Sequence, residues 1–223
     1  MNYFFWFYII IKYYSVFVIE PIDDHYKALF SEDNLKCDDI VDFYLDFMEA
    51  CLRPNINIDM FIGHSFGGEL AYHCAVRWRE RTGNTPKVCM LDTFVHFANI
   101  AQEMPIPDIK NPTPDEISDI EELKDWNRHL RQMQALNDNP DLPAYDGNVL
   151  YFKAEDLSLK NKIIQINVQT LAQKKQEELE CWSTLVPSMS IYSVTADHFT
   201  MLDEQFCNDY IKKINDICLT PNS

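Results

Sequence analysis

The sequence predicts an α/β fold in which a mostly parallel β-sheet is flanked by helices. Short apolar runs alternate with helical patterns along the chain, and this alternation is typical of parallel sheets. Three of the five glycines surround one serine, Ser65, between such a run and such a helix. Two further polar residues, Asp92 and His198, follow later apolar runs. We therefore predict one domain over residues 1–223, with its chemistry at one edge of the sheet.

The first half of the chain has the pattern strand, helix, strand, helix. Residues 16–19 are an apolar run before Pro21, which indicates a buried strand that ends in a loop. Residues 38–52 place apolar side chains at helical spacing, and Pro54 follows the end of that helix. Residues 58–62 are predicted as a short buried strand that leads into the glycine-rich turn.

The second half continues the alternation. Residues 66–81 are predicted as a helix that stops at Gly83. The later elements are strands at residues 87–91, 149–153 and 190–194 and a closing helix at residues 206–218. Since parallel strands place their carboxyl ends together, the residues that follow these strands are expected to meet at one edge.

Residues 97–145 interrupt this alternation with a different composition. Prolines cluster at both ends of the segment, and an acidic helical pattern lies at about residues 114–137. A long insertion between two strands of a compact domain is typically functional. We predict that it is a lid over the active site, which it would cover with apolar side chains such as Ile106, Leu123 and Trp126.

The composition argues against a nucleic acid partner and for a reducing compartment. The formal net charge is −16 at pH 7, whereas phosphate backbones are bound by basic surfaces. The seven cysteines are odd in number, scattered singly and mostly inside apolar runs, without the paired spacing of a zinc site. We expect reduced core cysteines, no metal and a cytoplasmic protein.

The amino-terminal residues 2–14 are strongly apolar and aromatic, but they do not match a targeting signal. They lack the basic region and the small-residue cleavage site of a secretory signal. The uninterrupted apolar run at residues 3–11 is too short to span a bilayer. A membrane anchor that continues to Ile19 is the minor alternative to a chain without a membrane partner.

The glycines around Ser65 form the pattern G-x-S-x-G, which marks a nucleophile elbow. This tight turn between a strand and a helix lifts a serine hydroxyl above the edge of the sheet. Gly63 and Gly67 are expected to remove Cβ atoms where the turn is crowded, and Gly68 to let the helix lie close to the strand. Because glycine is scarce in this chain, a chance match is disfavoured. Ser65 is the predicted nucleophile.

A serine nucleophile needs a base that takes its proton. Of the six histidines, His198 is the one that follows a predicted strand in the chain order serine, acid, histidine. His64 lies beside the serine, so its side chain is expected to point away from the hydroxyl, and His73 falls inside a helix. His198 is therefore the predicted base.

The acid that orients this histidine has two candidate positions. Asp92 ends the strand after the elbow, whereas Glu155 and Asp156 end the next strand, which carries the acid in many enzymes with this elbow. The spacing along the sequence leaves the two positions nearly even.

Three sequence blocks resemble the thioesterase domains of nonribosomal peptide and polyketide synthases, which have the α/β-hydrolase fold. The blocks are residues 63–68, 90–92 and 197–202, with Trp182 ahead of the final strand, and the match covers roughly residues 16–218. In that family the acid follows the strand after the elbow, so the resemblance implies Asp92. It also implies release of acyl or peptidyl chains from the phosphopantetheine thiol of a carrier protein, by hydrolysis or cyclisation, with no cofactor of its own.

One part of the family pattern is missing. The family carries a glycine-rich loop after an early strand, and a backbone N–H of that loop supplies half of the oxyanion hole. Residues 1–15 contain no glycine, so Phe66 N–H is the one oxyanion donor that we can name. Loss of a donor lowers the rate by about 10²–10³. The alternatives are therefore a weakened thioesterase, a general carboxylesterase with the same triad, and a catalytically dead binding module.

Overall fold

The computed structural model describes residues 36–52, 57–93, 143–157 and 168–218. The strand predicted at residues 16–19 lies outside these ranges, and so does the lid predicted at residues 97–145 except for its last three residues.

The described part of the chain contains a four-stranded parallel sheet. Its strands are β1 (Met60–His64), β2 (Lys87–Leu91), β3 (Val149–Ala154) and β4 (Ser190–Val194), in the order β1-β2-β3-β4. His64 pairs with Leu91, Leu91 pairs with Phe152, and Ala154 pairs with Val194. This register aligns the carboxyl ends of all four strands, as the alternating sequence pattern predicted.

Four helices accompany the sheet in the described ranges. They are α1 (Cys37–Cys51), α2 (Phe66–Thr82), α3 (Val168–Leu185) and α4 (Glu204–Cys218), and a short 3-10 turn, Thr200–Leu202, precedes α4. Helix α2 ends where the sequence predicted, because Gly83 adopts the left-handed conformation with φ of 77° and its N–H donates to the Arg79 carbonyl at 2.8 Å.

One sequence prediction needs correction, and one helix was not predicted. The strand predicted at residues 58–62 begins at Met60 and continues through Gly63 to His64, because Gly63 still pairs with Met90 of β2 instead of starting the turn. Helix α3 was not predicted, although Gln, Lys, Glu and Leu, which favour helices, make up most of its sequence.

The sheet is packed on both faces, which places it at the centre of the core. Side chains alternate along the strands, so Val88 and Met90 of β2 face α2 and α3, whereas Cys89 and Leu91 face α4. Strand β3 divides in the same way, with Tyr151 on the first face and Phe152 on the second. This is the arrangement expected for a buried parallel sheet.

The six cysteines whose side chains are described are all free thiols, and four of them are buried. Within the described ranges, no group of His, Cys, Asp and Glu side chains has the arrangement of a metal site. None of the helices in these ranges is both long enough and apolar enough to cross a membrane.

Candidate active site

Ser65 occupies the sharp turn between β1 and α2. Its φ of 55° and ψ of −127° lie outside the regions that residues with a side chain normally adopt. The Ser65 N–H donates to the Leu91 carbonyl at 2.9 Å, and the Ser65 carbonyl accepts from Gly68 N–H at 2.9 Å. Strained backbone of this kind persists where the surrounding structure holds it, often at an active site. The turn therefore has the conformation of a nucleophile elbow.

The three glycines of the motif differ in what they allow. A Cβ at Gly63 would lie 1.9 Å from the carbonyl oxygen of Gly67, and a Cβ at Gly68 would lie 1.8 Å from Oγ1 of Thr93. Both positions therefore require glycine, as the motif predicted. For Gly67, a Cβ would meet no described atom within 4 Å, so the crowding expected there stays a prediction.

Asp92 follows β2 and is buried, with 1% of its surface exposed. Its backbone has φ of 44°, also in the left-handed region. Its Oδ2 lies 2.8 Å from Nδ1 of His198, and its Oδ1 accepts the Ala154 N–H at 3.0 Å. Asp92 is thus the carboxylate that contacts the predicted base.

The competing carboxylates occupy other surroundings. Glu155 accepts a hydrogen bond from the Ser193 hydroxyl and lies 3.6 Å from the Lys153 ammonium. The pKa of Glu155 is lowered, mainly by the hydrogen bond from Ser193, and its side chain is 44% exposed. The Asp156 N–H donates to the Ala196 carbonyl at 3.0 Å, beside β4.

His198 is held in a tight turn after β4. The preceding Asp197 accepts the N–H groups of Phe199 and Thr200 through Oδ1, at 2.9 Å each. The Thr200 hydroxyl in turn accepts the Asp197 N–H at 3.1 Å. Because Asp92 is ionised, Nδ1 of His198 is the donor in their hydrogen bond, so Nε2 of the neutral ring carries the lone pair that a base needs.

The sequence analysis missed the role of His64. Its Nε2 lies 2.7 Å from the backbone carbonyl of His198, and the two rings are 4.6 Å apart. Since a carbonyl only accepts, His64 Nε2 carries the proton and donates it. Burial and the neighbouring His198 lower the pKa of His64 to about 3, so this histidine stays neutral at ordinary pH.

The structure also places Lys175 of α3 in this site. Its Nζ lies 2.8 Å from Oδ2 and 3.0 Å from Oδ1 of Asp92, and 3.2 Å from the Ala154 carbonyl. Burial raises the pKa of Asp92, but the contacts with His198 and Lys175 outweigh it and lower that pKa to about 2. The acid is therefore ionised throughout the range in which the protein would work.

Two more carboxyl groups are buried behind the site. Glu69 of α2 and Glu178 of α3 are 2% and 8% exposed. Burial, and next the neighbouring Glu178, raise the pKa of Glu69 well above its usual value.

No protein-family model matches this sequence, and no curated protein matches it. Solved structures do resemble its fold. The NocB thioesterase domain, in a covalent complex with a fluorophosphonate nocardicin G analog, has a TM-score of 0.51 and 15% identity, over 86% of this chain and 80% of that chain. This is the α/β-hydrolase fold of thioesterase domains.

Two other solved structures contain a region with a similar fold. The wild-type Vlm2 thioesterase domain has a TM-score of 0.52 and 16% identity, over 83% of this chain and 77% of that chain. The four-domain nonribosomal peptide synthetase AB3403, bound to AMP and glycine, has a TM-score of 0.53 and 16% identity, over 84% of this chain and 16% of that chain. At such identities the likeness establishes the fold alone.

Within this α/β-hydrolase fold, the predicted site residues lie at the carboxyl edge of the sheet. Asp92 and His198 are in direct contact, and Ser65 directly follows His64, whose ring packs on His198. Phe66, the predicted oxyanion donor, is the first residue of α2. The catalytic roles of these residues stay predictions.

Proposed function

We propose that this chain is a serine thioesterase that releases acyl or peptidyl groups from the phosphopantetheine thiol of a carrier protein. The observation that carries the proposal is the hydrogen bond of 2.8 Å between His198 Nδ1 and Asp92 Oδ2, at the sheet edge where Ser65 occupies an elbow. A buried Asp–His pair at the same edge as an elbow serine is the arrangement that activates a hydroxyl nucleophile.

The proposed reaction has two halves. As Oγ of Ser65 attacks the thioester carbonyl carbon, Nε2 of His198 takes its proton, and the Phe66 N–H stabilises the oxyanion. Breakage of the C–S bond leaves an acyl-enzyme, and the imidazolium returns the proton to the departing thiolate. Water then resolves the ester, which is hydrolysis, or a nucleophile within the acyl chain does so, which is cyclisation.

The choice of substrate class rests on the likeness in fold. The two thioesterase domains and the four-domain synthetase share the fold over more than four fifths of this chain. The NocB domain formed a covalent complex with a fluorophosphonate, which supports this reagent class as a probe for the present chain.

The test measures covalent labelling and then substrate preference. The chain is incubated with a fluorophosphonate, and intact mass and peptide mapping locate the adduct, which is expected on Ser65. The Ser65→Ala variant is expected to remain folded and unlabelled. The matched control is Ser183→Ala, which removes a hydroxyl from the exposed side of α3 and is expected to label like the wild type.

Substrate preference separates the proposal from its alternatives. Acyl groups on a phosphopantetheine carrier protein are expected to give a kcat/KM at least about tenfold higher than simple aryl esters, since remote contacts contribute to transition-state binding. A preference for simple esters would instead assign a general carboxylesterase. A folded wild-type chain without any adduct on Ser65 would instead assign a non-catalytic binding module.

A further inference from the structure

Lys175 is a charged side chain in the protein interior that the proposed reaction does not use. It projects from α3, and its side chain is only 5% exposed. Its ammonium donates to both oxygens of the Asp92 carboxylate, at 3.0 Å and 2.8 Å, and to the Ala154 carbonyl at 3.2 Å. The carboxylate therefore receives two hydrogen bonds from Lys175, one from the Ala154 N–H and one from His198.

Packing alone does not account for a lysine at this position. Moving an ammonium out of water costs free energy, and a buried ion pair is often no more stabilising than apolar side chains of the same size. The region around the site offers apolar surroundings, because Trp182 and Leu179 of the same helix lie in the core on this face of the sheet. The charge at position 175 is better explained by what it does to Asp92.

The ammonium acts on the acid in two ways. Its two contacts restrain the carboxylate, so that Oδ2 is directed at Nδ1 of His198. Its positive charge also offsets part of the negative charge of Asp92, since Lys175 and His198 contact the same carboxylate oxygen, Oδ2. A less negative partner favours the protonated imidazole less, so the ring keeps its lone pair down to a lower pH.

We propose that Lys175 is a positioning residue: it fixes the acid against the base and extends the activity of the site to lower pH. This inference rests on the proposed function, because it assigns Lys175 a role in the same Ser–His–Asp reaction.

Other titratable groups face this cluster from the neighbouring elements. Glu178 lies on the same helix as Lys175. His64 belongs to β1, Glu69 to α2 and Tyr151 to β3, and Glu155 directly follows β3. Burial lowers the pKa of His64 to about 3 and raises the pKa values of Glu69 and Tyr151, so His64 and Tyr151 stay neutral near pH 7.

The test compares two substitutions of Lys175 with a matched control. Lys175→Met removes both charge and hydrogen bonds, whereas Lys175→Gln keeps an N–H donor without the charge. Lys153→Met removes a lysine of β3 whose ion pair with Glu155 lies nearer the surface. The rate of fluorophosphonate labelling of Ser65 is measured from pH 4.5 to 9, and the His198 ring is titrated by NMR in the same proteins.

The acidic limb of the labelling profile and the ring titration are expected to move to higher pH by about one unit in both Lys175 variants. Lys153→Met is expected to match the wild type. Unchanged profiles in folded Lys175 variants would overturn the inference, while labelling of the wild type would leave the proposed function in place. If the wild type is not labelled, the proposed function fails, and the ring titration still decides whether Lys175 acts on the Asp–His pair. Should Lys175→Met fail to fold, Lys175→Gln carries the test.

Discussion

His64 donates a hydrogen bond from Nε2 to the backbone carbonyl of His198 at 2.7 Å, so the residue before the proposed nucleophile anchors the proposed base. The two rings also pack together, with centroids 4.6 Å apart. This contact connects the elbow after β1 to the turn after β4, across the carboxyl edge of the sheet. His64, the variable residue before the serine in the G-x-S-x-G motif, thus has a specific partner.

His64→Leu is expected to slow labelling of Ser65 by about fivefold, because a buried hydrogen bond contributes about 1 kcal/mol and its loss leaves the His198 carbonyl without this donor. His64→Gln, which offers an amide donor, is expected to keep most of the rate. The second-order rate constant of labelling with a fluorophosphonate measures both. Equal rates in the wild type and His64→Leu would show that the contact has no part in setting the base.

Asp92→Asn is expected to lower activity by about 10⁴, since an amide stabilises the wrong tautomer of the histidine. It also leaves the buried Lys175 ammonium without its counter-charge, which costs about 3–5 kcal/mol of stability. Adding Lys175→Met to Asp92→Asn is therefore expected to restore stability but not activity. Urea unfolding and Ser65 labelling measure the two effects separately.

The control for this prediction is Glu155→Gln, at the alternative acid position. Its side chain is 44% exposed and pairs with Ser193 and Lys153, so activity and stability are expected to change little. Loss of activity in Glu155→Gln together with retained activity in Asp92→Asn would contradict the assignment of the acid.

Alanine at the three elbow glycines is expected to give two different outcomes. Gly63→Ala would place a Cβ 1.9 Å from backbone, and Gly68→Ala would place one 1.8 Å from Oγ1 of the buried Thr93. Each is expected to lose about 1–3 kcal/mol or more through overpacking. Gly67→Ala lies in a helix, and its Cβ would meet no described atom within 4 Å, so a gain of up to about 1 kcal/mol is expected. Urea unfolding of the three variants measures these changes, and equal losses at all three would contradict the described turn.

His73 of α2 is expected to make stability fall as the solution becomes acidic. It is 5% exposed, and its Nε2 has no hydrogen-bond partner within the described ranges. Burial lowers its pKa from 6.5 to about 4, although Asp38 opposes this. Between those two pH values the unfolded chain binds a proton that the folded chain does not. The free energy of unfolding therefore decreases by about 1.4 kcal/mol for each unit by which the pH falls.

The His73→Gln variant isolates that effect. Its free energy of unfolding is expected to depend less steeply on pH than that of the wild type, by up to about 1.4 kcal/mol per unit between pH 4.5 and 6. Urea unfolding across that range is the measurement. Parallel curves for the two proteins would mean that His73 is protonated in the folded state.

Local patterns in the sequence were enough to predict much of this fold. Strands Lys87–Leu91 and Ser190–Val194 lie where their apolar runs predicted, and α2 ends at Gly83, because strand period and glycine conformation are short-range properties. The steric demand of the elbow is also local, which is why the motif located Ser65 in a strained turn.

Helix α3 and its contribution to the site could not be derived in this way. Its many lysine, glutamine and glutamate residues are typical of a solvated face, yet Lys175 and Glu178 are buried against the end of the sheet. A charged side chain is rarely buried without an oppositely charged or hydrogen-bonding partner. The partner of Lys175, Asp92, lies 83 positions away in the sequence.

The sequence by itself determined the alternation of strands and helices, the elbow at Ser65 and the candidacy of His198, because each depends on neighbours a few residues apart. The tertiary structure decided which carboxylate meets that histidine. Parallel pairing of β2, β3 and β4 brings together residues 106 positions apart, so that Asp92 contacts His198 while Glu155 pairs with Ser193. His64 and Lys175 also join the site only in the folded chain. Their partners, His198 and Asp92, are distant along the sequence and become adjacent once the sheet has formed.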